Sequence, residues 1–421
     1  MLKSIEPLWQ TLRSLKGNQR ALVVMEPLWS VPNKLFAPFA SVYMVAIGLT
    51  GQQVGTTISV ALAMQLVWAL LSGAITDKFG RRRTMLVFGV LSWTVPCLLW
   101  ATAHSYGDFL VAVIFNSLWQ VTGNCFACII VEDGAASSLV RVWTLINLTG
   151  LVSGFLAPVA GIFMARFTLV PTMRAIYFIA MGMMTLRFVG QYYLSQESST
   201  GQRRIEESAG QSVIALTVKG WPVVTSALRN RRLLWCVLLM ALLSSFNTVQ
   251  TTFWPLFVTR ADHVDPAMLS VFPMVSSFIT LPLYLFVVPR ITMRSIRSPL
   301  FMGLGLHAIG VAVLLVLDPR PGTLLAIVFL SAVCEALALA MVGPLTESLM
   351  SVVVPSAERA RINSFVVALM LFISTPVGWL AGTLFQVGRA MPLVLNVGLL
   401  IMAAIVSWFV AQVVTPTSTS A

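Results

Sequence analysis

The stretch Gly-Ala-Ile-Thr-Asp-Lys-Phe-Gly-Arg-Arg-Arg, residues 73–83, connects two long apolar segments of the chain. It holds four basic residues and the aspartate Asp77, whereas only 10% of the whole chain is charged. Gly80 can adopt backbone conformations that other residues avoid. The stretch therefore predicts a tight basic turn between two helices, with Gly73 allowing the helices to pack closely just before the turn.

The composition of the chain sets the class of protein. Its 421 residues are 57% hydrophobic, and the mean hydropathy is +0.87. A soluble domain has about a quarter of its residues charged, and a membrane-spanning helix needs about 20 apolar residues. These values exclude a soluble enzyme, a secreted disulfide scaffold and a disordered chain. They predict an all-α membrane protein with several spans.

Twelve apolar segments of spanning length follow one another along the chain. They cover residues 21–48, 53–76, 84–104, 109–131, 142–164, 172–194, 233–258, 267–289, 298–317, 323–349, 362–385 and 391–413. The polar stretch 195–231 divides them into six and six, and its second part is predicted to form an amphipathic helix. The acidic ends of segments 4 and 10, Glu132 and Glu347, lie 215 residues apart. The sequence thus predicts two pseudo-symmetric six-helix bundles, 1–194 and 232–421, joined by the linker 195–231.

Basic residues are distributed unevenly over the connections between these segments. If the first residue is cytoplasmic, the cytoplasmic connections hold twenty Lys and Arg residues and the outer ones hold five. Because basic residues favour the cytoplasmic side, both termini are predicted to be cytoplasmic. This pattern explains the net charge of +12 without a nucleic-acid partner. The predicted location is the plasma membrane, or the inner membrane if the source is a bacterium.

Residues 73–83 resemble the G-x-x-x-D-[RK]-x-G-[RK]-[RK] signature of the major facilitator superfamily, in the loop where that family carries it. The resemblance implies two six-helix bundles around a central cavity that opens alternately to each side of the membrane. It also implies a conformational latch in which Asp77 bridges to the start of span 11 and Arg81 to the acidic end of span 4. The latch residues are Gly73, Asp77, Gly80, Arg81, Glu132, Asp133 and Arg141. The drug/proton antiporter subtype is a further possibility, although span 4 lacks that subtype's arginine before Gly123 and span 5 carries only a loosened version of its Gly–Pro motif.

Ionisable residues inside the predicted spans are functional candidates, because a charge at mid-membrane costs at least about 2.5–3.5 kcal/mol. Lys34 and Glu335 lie near the middle of spans 1 and 10 and are expected to pair across the two halves. Glu26 lies nearer the cytoplasm, and Arg187 in span 6 is interpreted as structural or interfacial. Glu26, Lys34 and Glu335 are the candidates for proton coupling. The alternative is a purely structural pair of Lys34 with Glu335.

In the superfamily, spans 1, 4, 7 and 10 line the central cavity, and these spans of the chain carry amide and aromatic side chains. The predicted substrate-cavity residues are Asn33, Asn116, Gln120, Asn124, Asn247, Gln250, Trp119 and Trp254. No metal-ligand cluster and no phosphate-binding Gly-Lys loop is evident, so neither a metal nor any other cofactor is expected. His307 in span 9 is interpreted as a satisfied or interfacial histidine.

Together these features predict a secondary active transporter rather than an enzyme. It would act as a monomer in the lipid bilayer, move a small organic solute and be driven by protons or another coupling ion. Export of amphipathic, drug-like compounds is favoured by the aromatic residues of the cavity spans. The alternatives are an importer of a small organic anion or other polar nutrient, with Lys34 holding the anion, and a transporter-like sensor that does not transport.

Overall fold

The computed structural model describes residue 15 and residues 17–132, 136–219, 229–260, 264–286, 297–316, 323–353 and 359–414. Within these residues the secondary structure is helical and includes no strand. Among the described residues, eleven helical segments are long and apolar enough to cross a membrane. The remaining predicted span, the first, is a helix broken into shorter pieces, and with it the molecule has the expected twelve transmembrane helices.

The bounds of the spans agree with the sequence prediction to within a few residues, apart from longer extensions at the ends of several helices. Spans 1 to 6 are 17–46, Gly51–Phe79, Arg81–Ala101, Tyr106–Glu132, 136–167 and Leu169–Leu194. Spans 7 to 12 are Arg231–Arg260, Pro266–Phe286, Arg297–Val316, Leu324–Val353, Arg359–Val387 and Met391–Val414. Two short helices, Ser199–Glu207 and Val213–Lys219, follow span 6. Residues Val213–Lys219 of the segment predicted to form an amphipathic helix are helical, and the rest of that segment, 220–228, lies outside the described residues.

Prolines explain why span 1 is broken. Its pieces are Gly17–Met25, Pro27–Phe36, the 3₁₀ turn Ala37–Phe39 and Ala40–Ala46. Proline lacks the N–H that would continue the helical hydrogen-bond ladder. Pro27 and Pro38 lie at the breaks, whereas Pro32 is accommodated inside the piece Pro27–Phe36. The breaks leave polar groups of span 1 available inside the bundle.

Within each half, neighbouring spans pack on one another, and one large buried apolar core runs through both halves. In the first half, span 6 packs on spans 1 and 3, and span 4 packs on spans 2 and 3. In the second half, span 10 packs on spans 8 and 9, and span 7 packs on spans 11 and 12. We call the end of the molecule that holds the 2–3 turn and helix Ser199–Glu207 the linker face, and the other end the opposite face.

The two halves meet along spans 2 and 11 and along spans 5 and 8, towards the opposite face. Glycines allow spans 2 and 11 to touch through their backbones, because a Cβ at Gly55 would collide with the carbonyl of Gly378 and the Cα of Gly382. The Ser59 hydroxyl also donates to the Thr375 carbonyl at 2.6 Å. We call this contact the glycine seam. It brings the backbones of the two halves into contact near the opposite face.

Candidate functional site

The first buried charge pair joins the break in span 1 to span 6. Glu26 lies between the first two pieces of span 1, and its Oε2 is 2.8 Å from Nη2 of Arg187. The Glu26 residue is 5% exposed and Arg187 is 7% exposed. Two charges so deeply buried are stable only when they compensate one another. The structural role predicted for Arg187 thus has a definite partner, the candidate Glu26.

Aromatic rings surround this pair. The Arg187 guanidinium lies 5.2–5.7 Å from the ring centroids of Trp29, Phe126 and Phe188, within the range of cation–π attraction. Nε of Arg187 and Nε1 of Trp29 are buried and have no hydrogen-bond partner within the described residues. The cluster therefore combines apolar walls with two donors that an acceptor could use.

A cavity of about 190 Å³ adjoins the pair, and we call this cavity the aromatic pocket. It lies between spans 1, 3, 4 and 6 and is lined by Glu26, Trp29, Met85, Trp93, Trp119, Thr122, Gly123, Phe126, Arg187 and Phe188. An apolar cavity of roughly 150 Å³ can hold a benzene molecule, so this pocket has room for one small ring. Of the predicted cavity residues it includes Glu26 and Trp119.

A second pair, of a carboxylate with a histidine, lies partly buried in the other half. Nδ1 of His307 in span 9 is 2.6 Å from Oε2 of Glu335 in span 10. The ring of Phe246 from span 7 packs edge-on against the His307 ring, with centroids 4.7 Å apart. Oε1 of Glu335 is buried without a hydrogen-bond partner among the described residues. His307 is satisfied, as predicted, but its partner is the candidate Glu335.

The expected ion pair between Lys34 and Glu335 is not formed, which corrects the sequence interpretation. Glu335 is taken by His307, one span away in its own half. Lys34 is half-buried in span 1, and no acidic side chain of the described residues pairs with it. The positions of Lys34 and Glu335 along their spans predicted that they lie at similar depth in the membrane. Glu335 instead pairs with His307 on the neighbouring span 9.

Three of the six predicted cavity amides make hydrogen bonds within their own half. Asn116 donates to the Ser92 carbonyl at 2.9 Å, and Asn124 donates to the Thr76 hydroxyl at 3.2 Å. Gln250 accepts from Asn396 of span 12 at 2.9 Å. These three are thus engaged in packing between neighbouring helices.

The other predicted cavity residues are less constrained. Asn33 and Gln120 are half-buried, and Asn247 is exposed. Trp254 is buried and packs edge-on against Phe272 of span 8 with ring centroids 4.8 Å apart. A role in contacting solute stays a prediction for these residues.

The turn between spans 2 and 3 forms a charge network at the linker face. Arg81, which is 3% exposed, makes a two-pronged contact with Glu132 at the end of span 4, with N–O distances of 2.8–3.2 Å. Asp77 contacts the same guanidinium at 3.2 Å. The structure thus pairs Arg81 with Glu132. Asp133, the side chain of Arg141 and the side chains at the start of span 11 lie outside the described residues.

The two glycines of this turn differ. Gly80 has φ +81°, a conformation that strains other residues, so the tight turn expected there is present. A Cβ at Gly73 would meet nothing within 4 Å. The close helix packing expected at Gly73 is therefore wrong, and the close approach of span 2 occurs instead at Gly55 in the glycine seam.

The segment after span 6 completes the network, and sequence reasoning missed it. The Glu197 carboxylate accepts the backbone N–H groups of Arg81 and Arg82 at 2.9 and 3.0 Å, at the start of span 3. The Ser198 hydroxyl donates to Glu132 at 2.5 Å. A helix N-terminus attracts an anion because its first N–H groups are unpaired. That rule, applied to the helix start after Gly80, was the available signal for a nearby carboxylate.

Comparisons with known proteins agree with this architecture. The family model described as Major Facilitator Superfamily matches residues 30–378. No curated protein matches the chain in sequence. The structure of the nucleoside transporter NupG is similar with a TM-score of 0.68 and 11% identity, over 96% of this chain and 100% of that one.

Two further solved structures share the fold. The inward open conformation of the xylose transporter XylE from E. coli has a TM-score of 0.63 and 15% identity, over 96% of this chain and 97% of that one. The human organic anion transporter MFSD10 has a TM-score of 0.63 and 15% identity, over 92% and 99% of the two chains.

The fold and these matches define a multi-pass membrane protein of a transporter architecture. Since the family model covers most of the chain, the protein belongs to the Major Facilitator Superfamily. Its relatives of this fold are transporters of small molecules and not enzymes. The drug/proton antiporter subtype is not established by these matches.

Proposed function

We propose that the protein is a monomeric, proton-coupled secondary transporter that moves a small organic solute by alternating access. The observation that supports the proton coupling is the partly buried pair Glu335–His307 inside the second half. A carboxyl and an imidazole can share, gain or lose a proton near neutral pH. A proton taken up there would neutralise the carboxylate and weaken its attraction to the histidine. Solute passage could then be tied to protonation.

The proposed cycle moves the two halves, 1–194 and 232–421, against each other. The glycine seam supports a state closed at the opposite face. Because the basic connections favour the cytoplasm, the linker face is proposed to be cytoplasmic, with both termini on that side of a plasma or bacterial inner membrane. The described conformation would then be the inward-facing state.

A bulky residue in the glycine seam tests this cycle. Gly55→Leu should separate spans 2 and 11 and expose single cysteines placed near the opposite face to a membrane-impermeant thiol reagent. Gly73→Ala is the matched control, because a Cβ at Gly73 meets no neighbour within 4 Å. Unchanged labelling in Gly55→Leu would contradict closure by the glycine seam.

The aromatic pocket supports an amphipathic solute. Its walls are mainly aromatic and apolar, and its one charge pair is Glu26 with Arg187. Ligand sites combine apolar walls with a few orienting polar groups in this way. We therefore favour a solute with a ring that enters beside Trp119, and export of drug-like compounds as the direction.

A second candidate function rests on Lys34. Its ammonium has no acidic partner among the described residues, and an anionic solute could supply one. The protein would then import a small organic anion or another polar nutrient. A protein that senses solute without transporting it is a third outcome of the same measurements.

Flux into proteoliposomes tests these functions. Candidate solutes are first found by thermal-shift screening of the purified protein against aromatic cations, neutral aromatics and organic anions. Each hit is then assayed with and without a pH gradient. Accumulation against a concentration gradient that needs the pH gradient is the expected result. Binding without flux under any gradient would indicate a sensor and overturn the transport proposal.

A further inference from the structure

A second, larger cavity lies at the linker face, away from both charge pairs. It measures about 800 Å³, and we call it the basic groove. It runs between the 2–3 turn, the outer side of span 3, the end of span 6 and helix Ser199–Glu207. It is lined by Lys78, Phe79, Arg82, Arg83, Thr84, Val87, Phe88, Tyr192, Glu197, Gln202 and Ile205.

The groove carries an excess of positive charge. None of Lys78, Arg82 and Arg83 pairs with an acidic side chain within the described residues. Arg82 is held in place, because its Nε donates to the Tyr192 carbonyl at 2.8 Å and its guanidinium lies 4.1 Å from the Tyr192 ring centroid. Both oxygens of the groove's acid, Glu197, already accept backbone N–H groups. Three cations thus face a site whose single carboxylate is occupied.

The edge of the groove is apolar and exposed. Phe79 is 50% exposed and Val87 is 52% exposed. Both belong to helices that cross the membrane, and they lie within about two turns of the helix ends at the 2–3 turn. Charged and apolar surfaces therefore meet at the depth where a bilayer changes from headgroups to acyl chains.

We propose that the basic groove binds the phosphate headgroup of an anionic phospholipid, whose acyl chains lie along Phe79 and Val87. Basic pockets at the ends of membrane helices suit such headgroups, because their charges lie where anionic lipids concentrate. Arginine adds paired hydrogen bonds to phosphate oxygens. The transported solute is a poorer fit, because spans 3 and 6 pack within the first half, away from the glycine seam.

Native mass spectrometry of the full chain in detergent tests this site. Phosphatidylglycerol and phosphatidylcholine of equal chain length are added in turn, and bound lipid is counted on wild type and on the double variant Lys78→Gln/Arg83→Gln. The control is Arg232→Gln, which removes an exposed cation at the start of span 7, outside the groove. Each neutralised groove cation should weaken phosphatidylglycerol binding about fivefold, and the pair about 25-fold.

The expected result is preferential retention of phosphatidylglycerol by wild type, loss in the double variant and little change in Arg232→Gln. Equal retention of phosphatidylcholine, or an equal loss in Arg232→Gln, would overturn the proposal. Binding of inorganic phosphate that the double variant loses, without any preference between the two lipids, would identify free phosphate as the ligand instead. If the double variant does not fold, the wild type alone decides: phosphatidylglycerol binding that is unaffected by rising salt contradicts the proposal.

Discussion

The two halves of the molecule bury a glutamate in different company. In the first half, Glu26 contacts Arg187 at 2.8 Å, and both residues are buried beside aromatic rings. In the second half, Glu335 contacts His307 at 2.6 Å, also against an aromatic ring. The two pairs are alike in distance, but the Glu335 side chain is 18% exposed and the Glu26 side chain only 7%. They differ in whether the basic partner can lose its charge.

That difference separates their physical roles. Arginine stays protonated in proteins, so Glu26 is stabilised as a carboxylate for as long as Arg187 is beside it. Histidine can be neutral, so the pair in the second half can exist with different numbers of bound protons. We infer that the first pair fixes the shape of the aromatic pocket, whereas the second pair can exchange protons. The sequence makes both Glu26 and Glu335 candidates for proton coupling, and their different partners now suggest two different roles.

The largest expected effect is on stability in the first half. Arg187→Met should leave the Glu26 charge buried and unpaired and lower the free energy of unfolding by about 3–5 kcal/mol. Glu26→Gln should act similarly through the stranded guanidinium. The double variant should lose less than the two single variants together. Unfolding in mixed detergent followed by tryptophan fluorescence measures all three.

Arg166→Gln is the control for this comparison, because Arg166 is an exposed arginine on span 5 that lies over the ring of Phe167. Its free energy of unfolding should stay within about 0.5 kcal/mol of wild type. If Glu26→Gln and Arg187→Met are additive in the double variant, the pair is not coupled and its scaffolding role is wrong.

The second prediction concerns Glu335→Gln. Both partners in this pair can be neutral, so the loss of stability should be smaller, about 1–3 kcal/mol, as for a buried group that loses a hydrogen bond. Function should change more than stability. Solute binding and solute exchange should persist, whereas accumulation driven by a pH gradient should be abolished. Flux into proteoliposomes, normalised to folded protein, measures both modes.

His307→Gln separates proton exchange from mere packing at this site. If the pair exchanges protons, replacing His307 should shift the pH at which coupled flux is half-maximal. If the pair is structural, His307→Gln should lower stability and leave that pH unchanged. Coupled flux equal to wild type in Glu335→Gln would show that Glu335 does not carry the driving proton.

The third prediction tests the asymmetry of the linker face. The 2–3 turn has Asp77, whereas the equivalent stretch of the second half, residues 289–297, has arginines and no aspartate. The Asp77 side chain is 39% exposed and contacts Arg81 at 3.2 Å. Asp77→Asn should therefore change the free energy of unfolding by at most about 1 kcal/mol.

The effect of Asp77→Asn should appear in the transport rate, since a latch that bridges to span 11 would no longer hold the linker face closed. Glu207→Gln is the control, because it removes exposed ion pairs within the linker helix alone. Solute flux and thiol labelling at the linker face are the measurements. Normal flux with unchanged labelling in Asp77→Asn would remove the latch hypothesis.

The sequence predicted the helical fold well because hydrophobic length is a property of each segment taken alone. Twelve spans follow from segments of about 20 apolar residues, and the prolines of the first span indicate that its helix is broken. The turn after Gly80 was likewise predictable, since it depends on one residue and its backbone.

Side-chain partners were harder to predict, because they depend on how neighbouring helices rotate against each other. Lys34 and Glu335 were expected to pair because they lie at similar depth. In the structure Glu335 pairs with His307, and Glu26 pairs with Arg187. Glu197 was missed for a related reason. It comes from a polar stretch that carries no periodic signal, and its partners are backbone N–H groups that the sequence does not distinguish.

The smallest expected effect on stability is that of Lys34→Met. Unlike Arg187, Lys34 has no acidic partner among the described residues, so the two variants compare the loss of an unpaired cation with the loss of a paired one. Removing the Arg187 charge strands a buried carboxylate, but removing the Lys34 charge strands none and relieves the unfavourable burial of an ammonium. The free energy of unfolding should therefore stay within about 0.5 kcal/mol of wild type or rise. Lys34→Arg, which keeps the charge, is the control.

If Lys34 holds an anionic solute, Lys34→Met should lose flux of organic anions and keep flux of neutral and cationic amphipathic compounds, whereas Lys34→Arg should keep all three. A loss of stability in Lys34→Met as large as in Arg187→Met would mean that an acid does pair with Lys34, and the contrast between a paired and an unpaired cation in the first half would then be wrong.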